Sequence, residues 1–161
     1  MKMFVIAAML WLLPQQAEEW FGRGINAYNQ GKYGEAVEFF NKAVAADTSS
    51  VSTRFNRATA YLKLQRYGDA LNDVNWCIAR RPDRIAIRMQ RAVIFAEAGQ
   101  KQLALGDLDM IIAGDSTFPK ARLLRGRLLL TTDTARGCAD LRAVIAAGDS
   151  SAVRYMTGIC P

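Results

Sequence analysis

The sequence predicts an all-α chain built as a stack of helical hairpins, and three observations carry that expectation. Arginines recur at Arg23, Arg57, Arg91 and Arg125, each 34 residues after the last, and each precedes a small residue: Gly24, Ala58, Ala92 or Gly126. A second small series, Ala36, Ala70, Ala104 and Gly137, keeps the same phase, and apolar Phe40, Val74, Leu108 and Leu141 follow it by four residues. Between these markers apolar residues fall at three-to-four spacing, interrupted by short clusters of Gly, Pro, Asp and Ser. Three-to-four spacing marks one face of a helix. A fixed period of this length marks a repeat whose unit is one supersecondary structure.

Taken in order, the first segment is Met1–Ala17, MKMFVIAAMLWLLPQQA. Lys2 supplies a positive start, Met3–Leu13 is an uncharged apolar run, Pro14 ends that run, and Ala17 precedes the acidic pair Glu18-Glu19. That is the layout of a secretory signal peptide cleaved before Glu18. The run is shorter than the roughly 17–25 apolar residues of a membrane-spanning helix. A retained N-terminal helix or an uncleaved anchor is the alternative reading.

The helical halves follow. Glu18–Gln30 and Gly34–Ala46 form the first pair, turning at Gly31; Val51–Leu64 and Tyr67–Arg80 form the second. Ile85–Ala98 and Lys101–Ala113 form the third, with Gly99 in the phase of Gly31; Pro119–Thr131 and Thr134–Ala147 form the fourth. The joints carry Asp47-Thr48-Ser49-Ser50, Arg81-Pro82-Asp83, Asp115-Ser116-Thr117 and Gly148-Asp149-Ser150, all turn-forming compositions. Ser150–Ile159 reads as a ninth, capping helix, with Asp149 or Ser150 at its N-cap. Small residues at Gly24 and Ala36 let two helices approach while Tyr and Phe fill the space beside them. One hairpin cannot bury its own apolar face, so the units are expected to stack.

The repeated arginines have repeated partners. Asp73, Asp107 and Asp140 lie sixteen, sixteen and fifteen residues beyond Arg57, Arg91 and Arg125, with the hairpin turn midway. Folding the helices antiparallel therefore predicts three structural salt bridges: Arg57–Asp73, Arg91–Asp107 and Arg125–Asp140. A bidentate geometry suits them. In the first unit Phe39 stands where the aspartate belongs, which leaves Arg23 to Glu19, another partner or a ligand.

These hairpins resemble the tetratricopeptide repeat. The first unit carries the likeness best, in Trp20, Gly24, Tyr28, Gly31, Tyr33, Ala36, Phe40 and Ala43; Tyr61, Tyr67 and Pro82 continue it, then Phe95, Gly99 and Leu108. Tyr28 sits one place late, and Arg54, Arg88 and Arg122 replace the bulky residue that Trp20 represents. The resemblance implies an α-solenoid of four repeats, 18–50, 51–84, 85–118 and 119–147, closed by a capping helix within 148–161. It also implies that the first helix of each hairpin lines a concave, partner-binding face. On this chain that stripe is Phe21, Ile25, Tyr28, Phe55, Thr59, Leu62, Met89, Val93 and Arg127, flanked by Ala96, Leu123 and Leu130. Phe21, Ile25 and Ala86 stand where the carboxylate clamp of chaperone-binding members needs polar residues, so that ligand is not expected.

Composition narrows the chemistry. The 161 residues contain no histidine, which removes His-based acid–base catalysis and most zinc sites. No catalytic, metal or cofactor site is expected. The net charge of +6 is spread over the helices without a block of like charge, so nucleic-acid binding is not expected. Cys77 falls in the phase of Ala43 and reads as core. Cys138 and Cys160 are expected to form a disulfide if the chain is exported, and two buried thiols otherwise. The leading functional expectation is a non-enzymatic interaction scaffold, periplasmic or secreted, holding a protein or peptide in its apolar groove. Membrane association would require an uncleaved N-terminus. The alternative is binding of an anionic surface or polymer, such as lipid headgroups, through the arginines of repeats two and four. The oligomeric state is left open.

Overall fold

Helical periodicity becomes helix pairs throughout the computed structural model, which describes residues 2–160, with side chains from residue 15 onward. The chain packs as two units, residues 1–83 and 84–161. No strand occurs among the described residues.

The first unit contains α1 (Lys2–Asn29), α2 (Tyr33–Ala46), α3 (Val51–Lys63) and α4 (Tyr67–Arg80). Helix α1 lies along α2, α3 along α4, and α2 packs on α3. The small-residue series sits at these contacts: Ala36, Ala43, Ala58 and Ala70 are fully buried with Phe40, Val74 and Cys77. A Cβ at Gly24 would lie 2.5 Å from the Phe40 ring, so glycine is required there. Helix α1 begins well before Glu18 and runs through Pro14 without a break in helix. The segment read as a leader is therefore helical from residue 2; its side chains up to residue 14 lie outside those described.

The second unit contains α5 (Ile85–Glu97), α6 (Lys101–Gly114), α7 (Pro119–Leu129) and α8 (Thr134–Ala146). Pro119 occupies the first turn of α7, where its missing N–H costs nothing. Ala92, Leu108, Ile111 and Ala121 form one buried cluster, and Leu141, Val144 and Ala152 form another. Gly126 and Gly137 face each other: a Cβ at Gly137 would stand 2.9 Å from the Gly126 carbonyl oxygen. This contact is the tightest helix approach in the fourth hairpin, which is one residue shorter than the others between its small residues.

Turns follow one design. Gly31 and Gly99 end the first helices of hairpins one and three with φ of +76° and +74°. Gln65 holds the same place in hairpin two at φ +58°, a strained conformation for a residue with a Cβ. Between hairpins, Asp47 Oδ1 accepts from Ser49 N–H and Asp115 Oδ1 from Thr117 N–H.

The capping segment corrects the sequence reading. Instead of a helix over Ser150–Ile159, the chain makes a 3₁₀ turn at Ser150–Ala152 and a single α-turn, α9 (Val153–Met156). Thr157 leaves the helix at φ −58° and ψ 119°, and Gly158 takes φ +76°. This reversal brings Cys160 back to α8, where it forms a disulfide with Cys138.

Candidate functional site

The repeated charges form compact ion clusters inside the hairpins. Arg57 Nε and Nη2 donate to both oxygens of Asp73 at 2.7 Å, and Arg91 does the same to Asp107. Arg125 donates to Asp140 at 2.6 and 2.8 Å. The aspartates are only 2–4% exposed, so the paired guanidinium is what keeps each charge in place. Hydrogen bonds from these carboxylates hold the Arg57, Arg91 and Arg125 guanidinium groups charged above their ordinary value, with burial working in the opposite direction.

A second arginine joins each pair. Arg54, Arg88 and Arg122 reach Asp73, Asp107 and Asp140 at 3.3, 3.5 and 2.9 Å. Sequence reasoning read these three only as replacements for a bulky residue. The available signal was their recurrence three residues before each paired arginine, which places both on one helix face. Two further contacts tie neighbouring hairpins: Arg57 Nη1 donates to Asn41 Oδ1 at 2.8 Å, and Arg125 Nη1 to Asp109 Oδ1 at 2.7 Å. Arg23, lacking the aspartate, donates to Glu19 at 2.7 Å on the helix surface.

The arrangement has consequences for the two expected surfaces. Arg54, Arg57, Arg122 and Arg125 are all held on carboxylates, so these recurring arginines are not available to the anionic-surface alternative in repeats two and four. The stripe on the first helices is half-buried at Phe21, Ile25, Tyr28, Phe55, Thr59, Leu62, Met89 and Val93, while Arg127 is exposed. Within the first hairpin Phe21 leans on the Phe40 ring and Tyr28 on Tyr33, at 6.0 and 5.2 Å between centroids. A cleft of about 360 Å³ opens beside Phe21, lined also by Glu18, Asp47, Ser50, Ser52 and Thr53. Met89 packs on the Ala92–Leu108 cluster, and Leu123 and Leu130 on the Leu141–Val144 cluster. These side chains therefore serve the core with one edge and show another to solvent.

Cys77 is fully buried and its Sγ donates to the Val51 carbonyl oxygen at 3.5 Å. Burial pushes its thiol up to about 11, so it stays protonated at neutral pH and is no nucleophile. No group of three or more His, Cys, Asp or Glu side chains suited to a metal occurs among the described residues. Nor is any helix, judged on the described residues, long and apolar enough to cross a membrane.

Paired helices of one period, packed through small residues and offering a half-exposed apolar stripe, define a helical-repeat protein. Two tetratricopeptide-repeat profiles match residues 17–49 and 55–121, and the chain belongs to the tetratricopeptide repeat family. Its fold is the α-solenoid of that family. Among similar solved structures, MamA from Desulfovibrio magneticus RS-1 shares 18% identity at a TM-score of 0.76, over 84% of this chain and 77% of that one. The second domain of this family in human RPAP3, solved with an HSP70 peptide, shares 25% identity at a TM-score of 0.65, over 71% and 95%. YrrB, described as having an unusual peptide-binding site, shares 16% identity at a TM-score of 0.67, over 84% and 72%. No curated protein shows a significant match.

Proposed function

We propose that this chain is a non-enzymatic interaction scaffold of the cell envelope that holds an apolar peptide or helix of a partner protein along the stripe of its first helices. The observation that carries the reading is the division of labour on those helices. The recurring charges are consumed by internal pairing, whereas Phe21, Ile25, Tyr28, Phe55 and Leu62 recur half-exposed on α1 and α3. Covering the exposed part of such a side chain contributes about 1 kcal/mol, so several covered together are needed for a useful affinity. The peptide-bound RPAP3 domain and the peptide-binding site of YrrB, both of this fold, support the assignment. The leader-like residues 1–17 and the Cys138–Cys160 disulfide support export to an oxidising compartment.

An immobilised peptide library probed with the purified chain tests the binding. Apolar and amphipathic peptides should be selected, and Ile25→Glu and Leu62→Lys should abolish selection while circular dichroism still reports the folded helical chain. Selection that survives both variants overturns the groove. N-terminal sequencing of the native protein tests export: a start at Glu18 supports it, and retention of Met1 overturns it.

A further inference from the structure

The central position of the apolar stripe, taken hairpin by hairpin, reads Ile25, Thr59, Val93 and Arg127. Arg127 is the exception, and its setting is specific. Every other arginine on α1, α3, α5 and α7 is paired with a carboxylate: Arg23, Arg54, Arg57, Arg88, Arg91, Arg122 and Arg125. Arg127 has none among the described residues. Its guanidinium instead lies over the Tyr155 ring, 4.8 Å from the centroid. Arg154 lies 4.7 Å from the same centroid, so the two guanidinium carbons are at most 9.5 Å apart. That separation is within about one screening length at 0.1 M salt, roughly 10 Å, so the two like charges repel. Asp149 feels the charge of Arg154 but makes no ion pair with it, its Oδ1 accepting from the Ser151 N–H at 2.9 Å.

The floor beneath these charges is fixed. Tyr155 packs on the Leu141–Val144–Ala152 cluster together with Leu123 and Leu130. The Cys138–Cys160 disulfide ties the segment that carries it to α8. Two unpaired guanidinium groups thus stand on a rigid aromatic ring at the edge of an apolar strip. A carboxylate at the rim of that ring would lower the electrostatic cost of both cations and accept charge-assisted hydrogen bonds.

The geometry points to a carboxylate subsite formed by Arg127 and Arg154 around Tyr155, which takes an acidic side chain of the partner segment whose apolar residues lie along Leu123 and Leu130. The inference rests on the groove reading above and names the chemistry its occupant must carry. A segment that is purely apolar would leave both cations unanswered; one with Asp or Glu beside its apolar residues answers them.

The test uses two short fluorescein-labelled peptides of leucine and phenylalanine, N-acetylated and C-amidated so that no terminal charge contributes. One carries a single glutamate and the other glutamine at that place. Their affinities for the full chain are read by fluorescence anisotropy at low and high salt. The glutamate peptide should bind roughly tenfold tighter at low salt, and that advantage should shrink at high salt and in Arg154→Gln. It should vanish in Arg127→Gln, which should bind the glutamate and glutamine peptides equally. Equal binding of both peptides by the parent, or a glutamate advantage that survives in Arg127→Gln, overturns the subsite and leaves the groove standing. Binding of neither peptide overturns the groove and the subsite together.

Discussion

Where Arg54, Arg88 and Arg122 stand in the later hairpins the first has Trp20, and where Asp73, Asp107 and Asp140 stand it has Phe39. Trp20 and Phe39 stack with centroids 5.9 Å apart, and Lys42 Nζ sits 4.5 Å above the indole. The second hairpin inverts the pieces. Its aromatic ring, Trp76, is on the second helix, and Arg54 from the first helix lies 4.3 Å over it. The contact therefore needs complementarity and not charge. The difference lies in what failure does. Truncating an aromatic partner loses area, whereas truncating the aspartate strands two guanidinium groups that are already partly out of water.

The largest expected effect exploits that asymmetry. Asp107→Ala leaves Arg88 and Arg91 without their carboxylate, with side chains only 18% and 23% exposed. Breaking such a pair from one side costs about 3–5 kcal/mol. Phe39→Ala, at the same place in the first hairpin, should cost less than half of that. Chemical denaturation of the two variants decides the matter, and the contrast fails if Phe39→Ala is the more damaging.

Next comes the close approach that distinguishes the first hairpin's core. Hairpins two and three carry Ala58 and Ala92 where it carries Gly24. The reason is Phe40, which replaces Val74 and Leu108 and fills the space of a Cβ. Gly24→Ala should cost about 1–3 kcal/mol by overpacking, and adding Phe40→Leu should recover part of it. Failure of the second change to help would show that the helix spacing, and not the ring, sets the limit.

A smaller effect of opposite sign is expected at the turns. Gln65 adopts the left-handed conformation that Gly31 and Gly99 adopt freely. Gln65→Gly should raise stability by about 0.5–1 kcal/mol, the strain relieved less the entropy of glycine. Gly31→Gln should lower it by a similar amount.

The weakest dependence is on pH. The raised guanidinium groups contribute stability that is fully present below their ordinary value and lost only as pH rises beyond it, far outside the usual range. Asp47, Asp115 and Asp149 are lowered from 3.8 by hydrogen bonds from Ser49, Thr117 and Ser151. Their contribution is present above 3.8 and is lost as pH falls through their lower values. The denaturation midpoint should be flat from about pH 5 to 8.5, fall on stronger acidification, and fall again above pH 9, where the unfolded chain can ionise the Cys77 thiol that the fold keeps protonated up to about 11. A midpoint that moved near neutrality would contradict this account.

Much of this was legible without coordinates, because periodicity reports on neighbours along a helix and across a turn. The 34-residue phase places Arg57 beside Asp73 and puts Phe21, Ile25 and Tyr28 on one face. What escaped depends on distances that periodicity does not carry. The reach of Arg57 to Asn41 and of Arg125 to Asp109 is set by the rise from one hairpin to the next. The capping segment has no repeat to read, and its path is decided by Gly158 and Cys160 rather than by helix propensity. The contact of Arg127 with Tyr155 follows from that path and was hidden with it.

The three sulfurs carry a last consequence, for the order of events in folding. Unfolded, Cys77, Cys138 and Cys160 admit three different single crosslinks. Once α4 has packed, the Cys77 thiol is sealed away and pushed up to about 11, and two of the three are closed off. Either order reaches the same bond: packing of α4 withdraws Cys77, and early latching of Cys138 to Cys160 leaves Cys77 without a partner in the chain.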